Sequence, residues 1–299
     1  MKRTPPFRGR SALAAGITAC AALTAGCAGQ PAGGERSAGM LAITVDNRLL
    51  GFDPAKPGIV RTQVHLSGLD AGESLLAIDV RPADGRLYGA TSTGRLVIID
   101  PRNGTVRGTG SSQFRTLLKG QEIGFDFNPV VDRIRVVDET GANLRLHPDT
   151  GGVVDADPRT AGVQPDGLLA YAPEDPNEGK PVRVTGAAYT RAAGAKWTTN
   201  YAIESAQGML VTQGSREGDA PAKPPVTPNT GRLFTIGPLG VATGDAVGFD
   251  IAHDSMTAYA SFTSRSGAIL YSVNLDTGAA TRIGMIGTGE PVRGIALTR

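Results

Sequence analysis

From Met40 onward the hydrophobic residues come in short runs divided by Gly, Pro, Asn and Asp, and no stretch keeps a 3.6-residue apolar period long enough for a helix. The pattern predicts strands throughout, and the strands repeat. One phrase returns five times: Ala77-Ile78-Asp79-Val80, Gly124-Phe125-Asp126-Phe127, Gly186-Ala187-Ala188-Tyr189, Gly248-Phe249-Asp250-Ile251 and Gly294-Ile295-Ala296-Leu297. A second strand-like phrase follows the first four copies: Arg86-Leu87-Tyr88-Gly89, Arg133-Ile134-Arg135-Val136, Asn200-Tyr201-Ala202-Ile203 and Thr257-Ala258-Tyr259-Ala260. A third run and a turn come next. The turns Asp100-Pro101-Arg102-Asn103-Gly104, His147-Pro148-Asp149-Thr150-Gly151 and Leu275-Asp276-Thr277-Gly278 separate strand-like runs, and Pro228-Asn229-Thr230-Gly231 closes a longer insertion. An Asp or Asn that bonds its own backbone ahead of a Gly free to take positive φ is hairpin chemistry.

Each unit is therefore predicted to be four antiparallel strands. Repeats of about 45 residues with four strands mark propeller blades, whereas a β-sandwich demands no sequence repeat. Units begin near Leu75, Glu122, Val182 and Ala246. A fifth is composite, because Arg293 to Thr298 supplies only a first phrase and Leu41 to Ser67 supplies the three runs that it lacks. The expected fold is an all-β propeller of five four-stranded blades over residues 40–299, with the C-terminal strand completing the N-terminal blade. Such closure hides the strand edges that an open ring would expose.

Ahead of this domain, Lys2, Arg3, Arg8 and Arg10 precede an uncharged run from Ser11 to Gly26 rich in Ala, Leu and Ile. That is the n-region and h-region order of a secretory signal, and the run is shorter than the roughly 20 residues of a membrane span. Leu23-Thr24-Ala25-Gly26-Cys27 resembles a bacterial lipobox, in which small residues admit the signal peptidase before a diacylglyceryl cysteine. Ile17-Thr18-Ala19-Cys20 fits the same pattern but would strand Ala21 to Ala25 as a hydrophobic tail, so Cys27 is the preferred lipidation site. An ordinary secretion signal cleaved elsewhere would leave a lone exported cysteine unexplained. Residues 1–26 thus read as a lipoprotein signal peptide and 27–39, rich in Gly and Ala, as a flexible tether. The protein is expected to be exported and anchored to the cell membrane by lipidated Cys27, facing the extracytoplasmic side, as a monomer.

Composition narrows the chemistry. The 299 residues include 41 Gly and 20 Pro, an excess that fits a turn-rich all-β chain. The formal net charge of +2 belongs to the signal, since residues 1–26 hold four basic groups and no acidic ones, leaving about −2 without them. With no basic cluster to track a phosphate backbone, a nucleic-acid partner is not expected. Both cysteines lie within the first 27 residues, so the domain has no internal disulfide. His65, His147 and His253 are not paired at a metal-ligand spacing, and neither a G-x-S-x-G elbow nor a nucleotide-binding glycine motif is present.

The stretch GFDFNPVVDRIRVVDETGANLRLHPDTG, residues 124–151, resembles the bacterial exported proteins grouped as domain-of-unknown-function family 4394. Gly186 to Thr190, Tyr201 to Ile203 and Leu210 to Gln213 extend the likeness, which covers about residues 40 to 299. The resemblance implies a secreted or surface-attached propeller-like fold and brings no catalytic residues. This chain departs from the pattern mainly in the proline-rich loop Gly214 to Asn229.

Two constellations carry candidate chemistry. Asp79, Asp126 and Asp250 hold one place in three of the five first phrases, with Ala188 and Ala296 in the others. Facing the channel, the three would converge on a hard-cation site of the Ca²⁺ or Mg²⁺ kind; facing the blade interfaces, each would bond backbone of its own or the next blade. The second constellation is Arg133, Arg135, Asn143 and Arg145, candidates to clamp an anionic ligand, with an ion-pair network through Asp132 and Asp138 as the alternative. The expected function is a non-catalytic binding or scaffold module for a protein, glycan or small molecule, with no cofactor. The competing expectation is a cation-dependent hydrolase or lactonase-like enzyme with Ca²⁺ in the channel.

Overall fold

A computed structural model of the chain describes residues 39–191, 198–217, 225–244 and 246–298. The signal segment, Cys27 and residues 218–224 of the proline-rich loop lie outside the described residues. The protein is a five-bladed β-propeller. The first blade contributes β1 (Met40–Thr44), β2 (Arg48–Phe52) and β3 (Val60–His65); the second β4 (Leu75–Val80), β5 (Leu87–Thr91), β6 (Arg95–Ile99) and β7 (Val106–Gln113). The third has β8 (Ile123–Asn128), β9 (Arg133–Asp138) and β10 (Asn143–Leu146), and β11 (Ala170–Tyr171) follows on the outside of the fourth. That fourth blade is β12 (Val184–Tyr189), β13 (Asn200–Glu204), β14 (Met209–Gln213) and β15 (Arg232–Pro238). The fifth is β16 (Ala246–Ile251), β17 (Ala258–Ser264), β18 (Gly267–Val273) and β19 (Ala280–Met285), and β20 (Val292–Leu297) returns to pair antiparallel with β1, Met40 opposite Leu297.

The blades differ in their outer strands. In the third, the run after the His147–Gly151 turn leaves the sheet at once, keeping only the bridge of Leu146 to Val153. The chain then crosses to the fourth blade, where β11 adds a parallel edge against β15.

Strand alternation builds one apolar layer per blade junction. On β1 and β2, Leu41, Ile43 and Leu49 pack with Leu75, Ile78, Leu87 and Ile99 of the second blade. Their neighbours Met40, Ala42, Leu50 and Phe52 pack with Leu270, Ile286 and Ile295 toward the fifth. Similar layers fill the second-to-third, third-to-fourth and fourth-to-fifth junctions. A period of two sends successive side chains to opposite faces, so every blade supplies half of two layers. Within the second-to-third layer, the rings of Tyr88, Phe125 and Phe127 meet edge to face.

The inner strands β4, β8, β12, β16 and β20 pack in a closed ring, each against the next. Their first-phrase glycines are what lets them approach. A Cβ on Gly124 would lie 2.7 Å from the Ala187 nitrogen, and one on Gly248 2.7 Å from the Ile295 nitrogen. The repeated glycine therefore admits the backbone of the neighbouring blade.

Candidate functional site

An inner strand is an edge strand, so its axis-facing N–H groups have no ladder partner and must be satisfied some other way. The repeated aspartates do this. Asp79 Oδ1 accepts from the Val80 N–H at 2.6 Å, and its Oδ2 accepts from the Phe127 N–H of the next blade at 2.8 Å. Asp126 Oδ2 accepts from the Tyr189 N–H at 2.9 Å. Asp250 repeats the Asp79 arrangement, taking the Ile251 N–H on Oδ1 and the Leu297 N–H on Oδ2, both at 2.6 Å. These five donors are the residues that follow the aspartate or alanine position in all five blades.

The bookkeeping explains why two blades do without a carboxylate. Ala188 and Ala296 offer no acceptor to the blade that follows each of them, and those blades, the fifth and second, carry the two aspartates that also bond their own backbone. Five of the six carboxylate oxygens are thus used, and Asp126 Oδ1 accepts none of the five N–H groups.

The same geometry brings the carboxylates together. One oxygen from each of Asp79, Asp126 and Asp250 lies within 4.8 Å of the others, and all three residues are buried. Burial pushes the Asp79 carboxyl well above the usual range, with the charge of Asp250 adding to it. Asp126 is raised by burial and then by Asp79 and Asp250, and Asp250 is raised by burial to about 6. What opposes these shifts is backbone N–H donation. Such a cluster favours a bound proton, or a cation in its place. Just beside it the channel between the inner strands, lined by Ala77, Gly124, Gly186, Gly248 and Gly294, holds only about 10 Å³. That is room for one water-sized occupant.

The arginine constellation is closed inward. Arg135, 2% exposed, donates to Asp166 Oδ2 at 2.6 Å, Asn143 Oδ1 at 2.7 Å and Asn229 Oδ1 at 2.7 Å. Arg145 forks onto both oxygens of Asp166 at 2.8 Å. Asn143 donates to the Gly167 and Pro228 carbonyls, and Gln213 reaches both Asn143 and Pro228. Arg133 does not join them. Sitting at the start of β9 beside the positive-φ Asp132, it turns back onto the Asp132 carbonyl at 2.8 Å. Nor are Asp132 and Asp138 the partners of Arg135: Asp132 takes a forked bond from Arg81, and Asp138 accepts the N–H groups of Lys119, Gly120, Thr140 and Ala142. The counter-ion is Asp166, in a connection outside every repeat, where no sequence signal marks it. The base of the proline-rich loop belongs to this cluster through Pro228 and Asn229.

A cleft the sequence does not announce lies between the first and second blades. Its volume is about 620 Å³, and it is lined by Leu41 and Thr298 of the first blade and by the β4–β5 and β6–β7 turns of the second. Leu41, Val80, Leu87 and Ile99 supply apolar wall; Arg86, Arg102 and Arg107 supply charge. Arg86 pairs with Asp84 at 2.6 Å and Arg102 with Asp100 at 3.1 Å. Arg107 is exposed and has no ion pair among the described residues.

Sequence comparison matches residues 48–296 to the family described as Domain of unknown function (DUF4394). No curated protein matches. Among solved structures, TolB from Acinetobacter baumannii is 14% identical with a TM-score of 0.41, covering 87% of this chain and 66% of its own. A structural-genomics protein of unknown function from Bacteroides thetaiotaomicron is 14% identical with a TM-score of 0.40, covering 82% and 57%. The Dos1 propeller is 10% identical with a TM-score of 0.35, covering 78% and 53%. The chain spans less than two thirds of the length of these structures, and at such scores the likenesses carry no argument about function.

Proposed function

The chain belongs to the DUF4394 family, and from that premise we propose that it is a non-catalytic, extracytoplasmic binding module held to the membrane by lipidated Cys27. Its ligand is a small molecule, or a segment of a protein or glycan small enough to enter a cleft. The observation that carries this reading is the 620 Å³ cleft between the first and second blades, a size typical of ligand pockets. The charged clusters inside the ring are engaged with the protein's own groups: the axial carboxylates with backbone N–H groups, and Arg135 and Arg145 with Asp166.

A thermal-shift screen of fatty acids, oligosaccharides and short peptides tests the reading, run on wild type and on Thr105→Trp, which fills the cleft. At least one class is expected to raise the Tm of wild type and not of the variant. A screen in which every compound acts equally on both proteins contradicts it. For the anchor, detergent-phase partition of wild type, lost in Cys27→Ala, is the expected result, and aqueous partition of both contradicts it.

A second reading rests on the three carboxylate oxygens within 4.8 Å of one another: Asp79, Asp126 and Asp250 hold a Ca²⁺ ion on the axis. It is an ion site rather than a substrate site, because the channel beside it holds about 10 Å³. Added Ca²⁺ that raises the Tm of wild type and not of Asp126→Ala supports this reading, and an unchanged Tm contradicts it.

A further inference from the structure

We propose that the end of the propeller at which the chain enters docks on the membrane, with Val130 and Val131 in the apolar edge of the bilayer and Arg133 on the phosphate of an anionic phospholipid. The proposal goes beyond the cleft and rests on the lipid-anchor part of the proposed function. Three observations lead to it.

The first is where that end lies. Each axial tie joins an aspartate to the residue one place further on in the neighbouring inner strand, so these strands run side by side and finish at one end of the channel. β1 begins at that end, with Met40 opposite Leu297 and the Gly39 carbonyl accepting the Thr298 N–H at 3.1 Å. Residues 28–39 separate Cys27 from β1, and a stretch of that length reaches about 45 Å at most. With a lipid on Cys27, the direct path to the bilayer runs from this end.

The second is the β8–β9 turn at the same end. Asn128 Oδ1 accepts from the Val130 N–H at 2.9 Å, the Asn128 carbonyl accepts from the Asp132 N–H at 3.0 Å, and Arg81 of the second blade holds the Asp132 carboxylate. These bonds fix a turn that carries two β-branched apolar side chains, each 57% exposed. The corresponding turns of the second and fifth blades carry Ala83-Asp84-Gly85 and Asp254-Ser255, which are ordinary turn residues. Among the described residues, Val130 and Val131 are the only consecutive large hydrophobics left exposed. The third observation is charge. Arg133 folds over the turn, donating to the Asp132 carbonyl at 2.8 Å and the Val131 carbonyl at 3.5 Å, and has no ion pair among the described residues, since the Asp132 carboxylate is answered by Arg81. A guanidinium beside two exposed apolar side chains suits the membrane interface, with phosphate at the headgroup level and hydrocarbon beneath it.

The test uses the full lipidated chain in vesicles of phosphatidylglycerol and phosphatidylcholine, with an NBD fluorophore on Val131→Cys or, as the control, on Val45→Cys, an exposed position beyond the other end of β1. Lipid occupies the Cys27 thiol, so the introduced cysteine is the one that labels, and flotation with the vesicles reports the anchor separately. The label at position 131 is expected to shift to the blue and to be quenched by nitroxide-bearing lipid, and the label at position 45 to do neither. Adding Val130→Asp is expected to abolish the response at position 131. Adding Arg133→Gln is expected to lower the ratio of docked to free domain about fivefold on these vesicles and not on neutral ones, the size of one basic side chain at an anionic surface. An unfolding midpoint equal to that of wild type checks that each variant folds. If position 131 responds and Arg133→Gln changes nothing, the phosphate assignment is overturned. If the protein floats with the vesicles but both labels stay in water, the anchor stands and the docking surface is overturned, leaving the turn to a protein partner. Equal quenching at both positions overturns it as well, because no end then faces the bilayer. Protein that does not float loses the anchor, and this proposal with it.

Discussion

Asp250 and Glu73 are both buried carboxylates with opposite titration behaviour, and their difference sets a pH profile. Burial raises Asp250 to about 6 because its partners are neutral N–H groups. Glu73 is also pushed up by burial, but Arg95, Thr91 and Thr93 outweigh that and bring it down to about 2. A raised carboxyl contributes stability that is complete below its unfolded value, near 3.8, and lost as pH climbs through about 6. A lowered one contributes stability that is complete above its unfolded value, near 4.5, and lost as pH falls toward 2. Urea unfolding across pH is therefore expected to show a maximum in mildly acid solution, with Asp250→Asn flattening the fall toward neutral pH and Glu73→Gln flattening the fall toward acid. Asp166 matters for a different reason: it is the counter-ion of a buried guanidinium. Asp166→Ala is expected to cost about 3–5 kcal/mol, because Arg135 stays charged and buried with only the neutral acceptors Asn143 and Asn229 and no counter-ion. An unfolding midpoint equal to that of wild type would show that the pair is dispensable.

Repeated elements were the legible part of the sequence, for a physical reason that the inner strands make plain. In the phrase Gly-x-Asp the glycine lets a neighbouring backbone come within van der Waals distance, and the aspartate accepts the N–H that this approach brings. The glycine recurs in four blades and the aspartate in three, so together they leave a repeat. Gly248→Ala is expected to cost about 1–3 kcal/mol in equilibrium unfolding, since its methyl would meet the Ile295 nitrogen at 2.7 Å and the strand cannot move without moving its neighbour. Ala77 already fills the equivalent place in the second blade, so Ala77→Gly should change stability by no more than about 1 kcal/mol. The parts that depend on only one blade were not legible. Asp166 and Asn229 come to Arg135 from connections with no counterpart elsewhere, and Arg133 departs from Arg135 because a positive-φ turn residue precedes it. The cleft also escaped, because its wall comes from residues 41 and 298 on one side and from two hairpin turns on the other. The run from Ile98 to Arg107 supplies much of the lining, but it becomes a cleft only where Leu41 and Thr298 stand on the other side.

At the scale of the whole molecule, the chain closes twice. β20 seals the first blade by pairing with β1, and the axial carboxylates tie successive inner strands together: second blade to third, third to fourth, fifth to first. On the axis, five of the six carboxylate oxygens accept N–H groups of the ring itself. If the carboxylates act as these ties, their value follows from how many N–H groups each accepts, and not from a shared ion. Equilibrium unfolding of Asp79→Asn and Asp126→Asn at pH 7, each with EDTA and with added Ca²⁺, tests this most directly. Asp79 uses both oxygens, so its amide strands one buried N–H and is expected to cost about 1–3 kcal/mol; Asp126 uses one, so its amide keeps the bond, removes a buried charge and is expected to leave the protein at least as stable. Ca²⁺ should alter neither wild type nor variants. Equal losses in the two variants, together with stabilisation of wild type by Ca²⁺, would contradict the tie and place an ion on the axis.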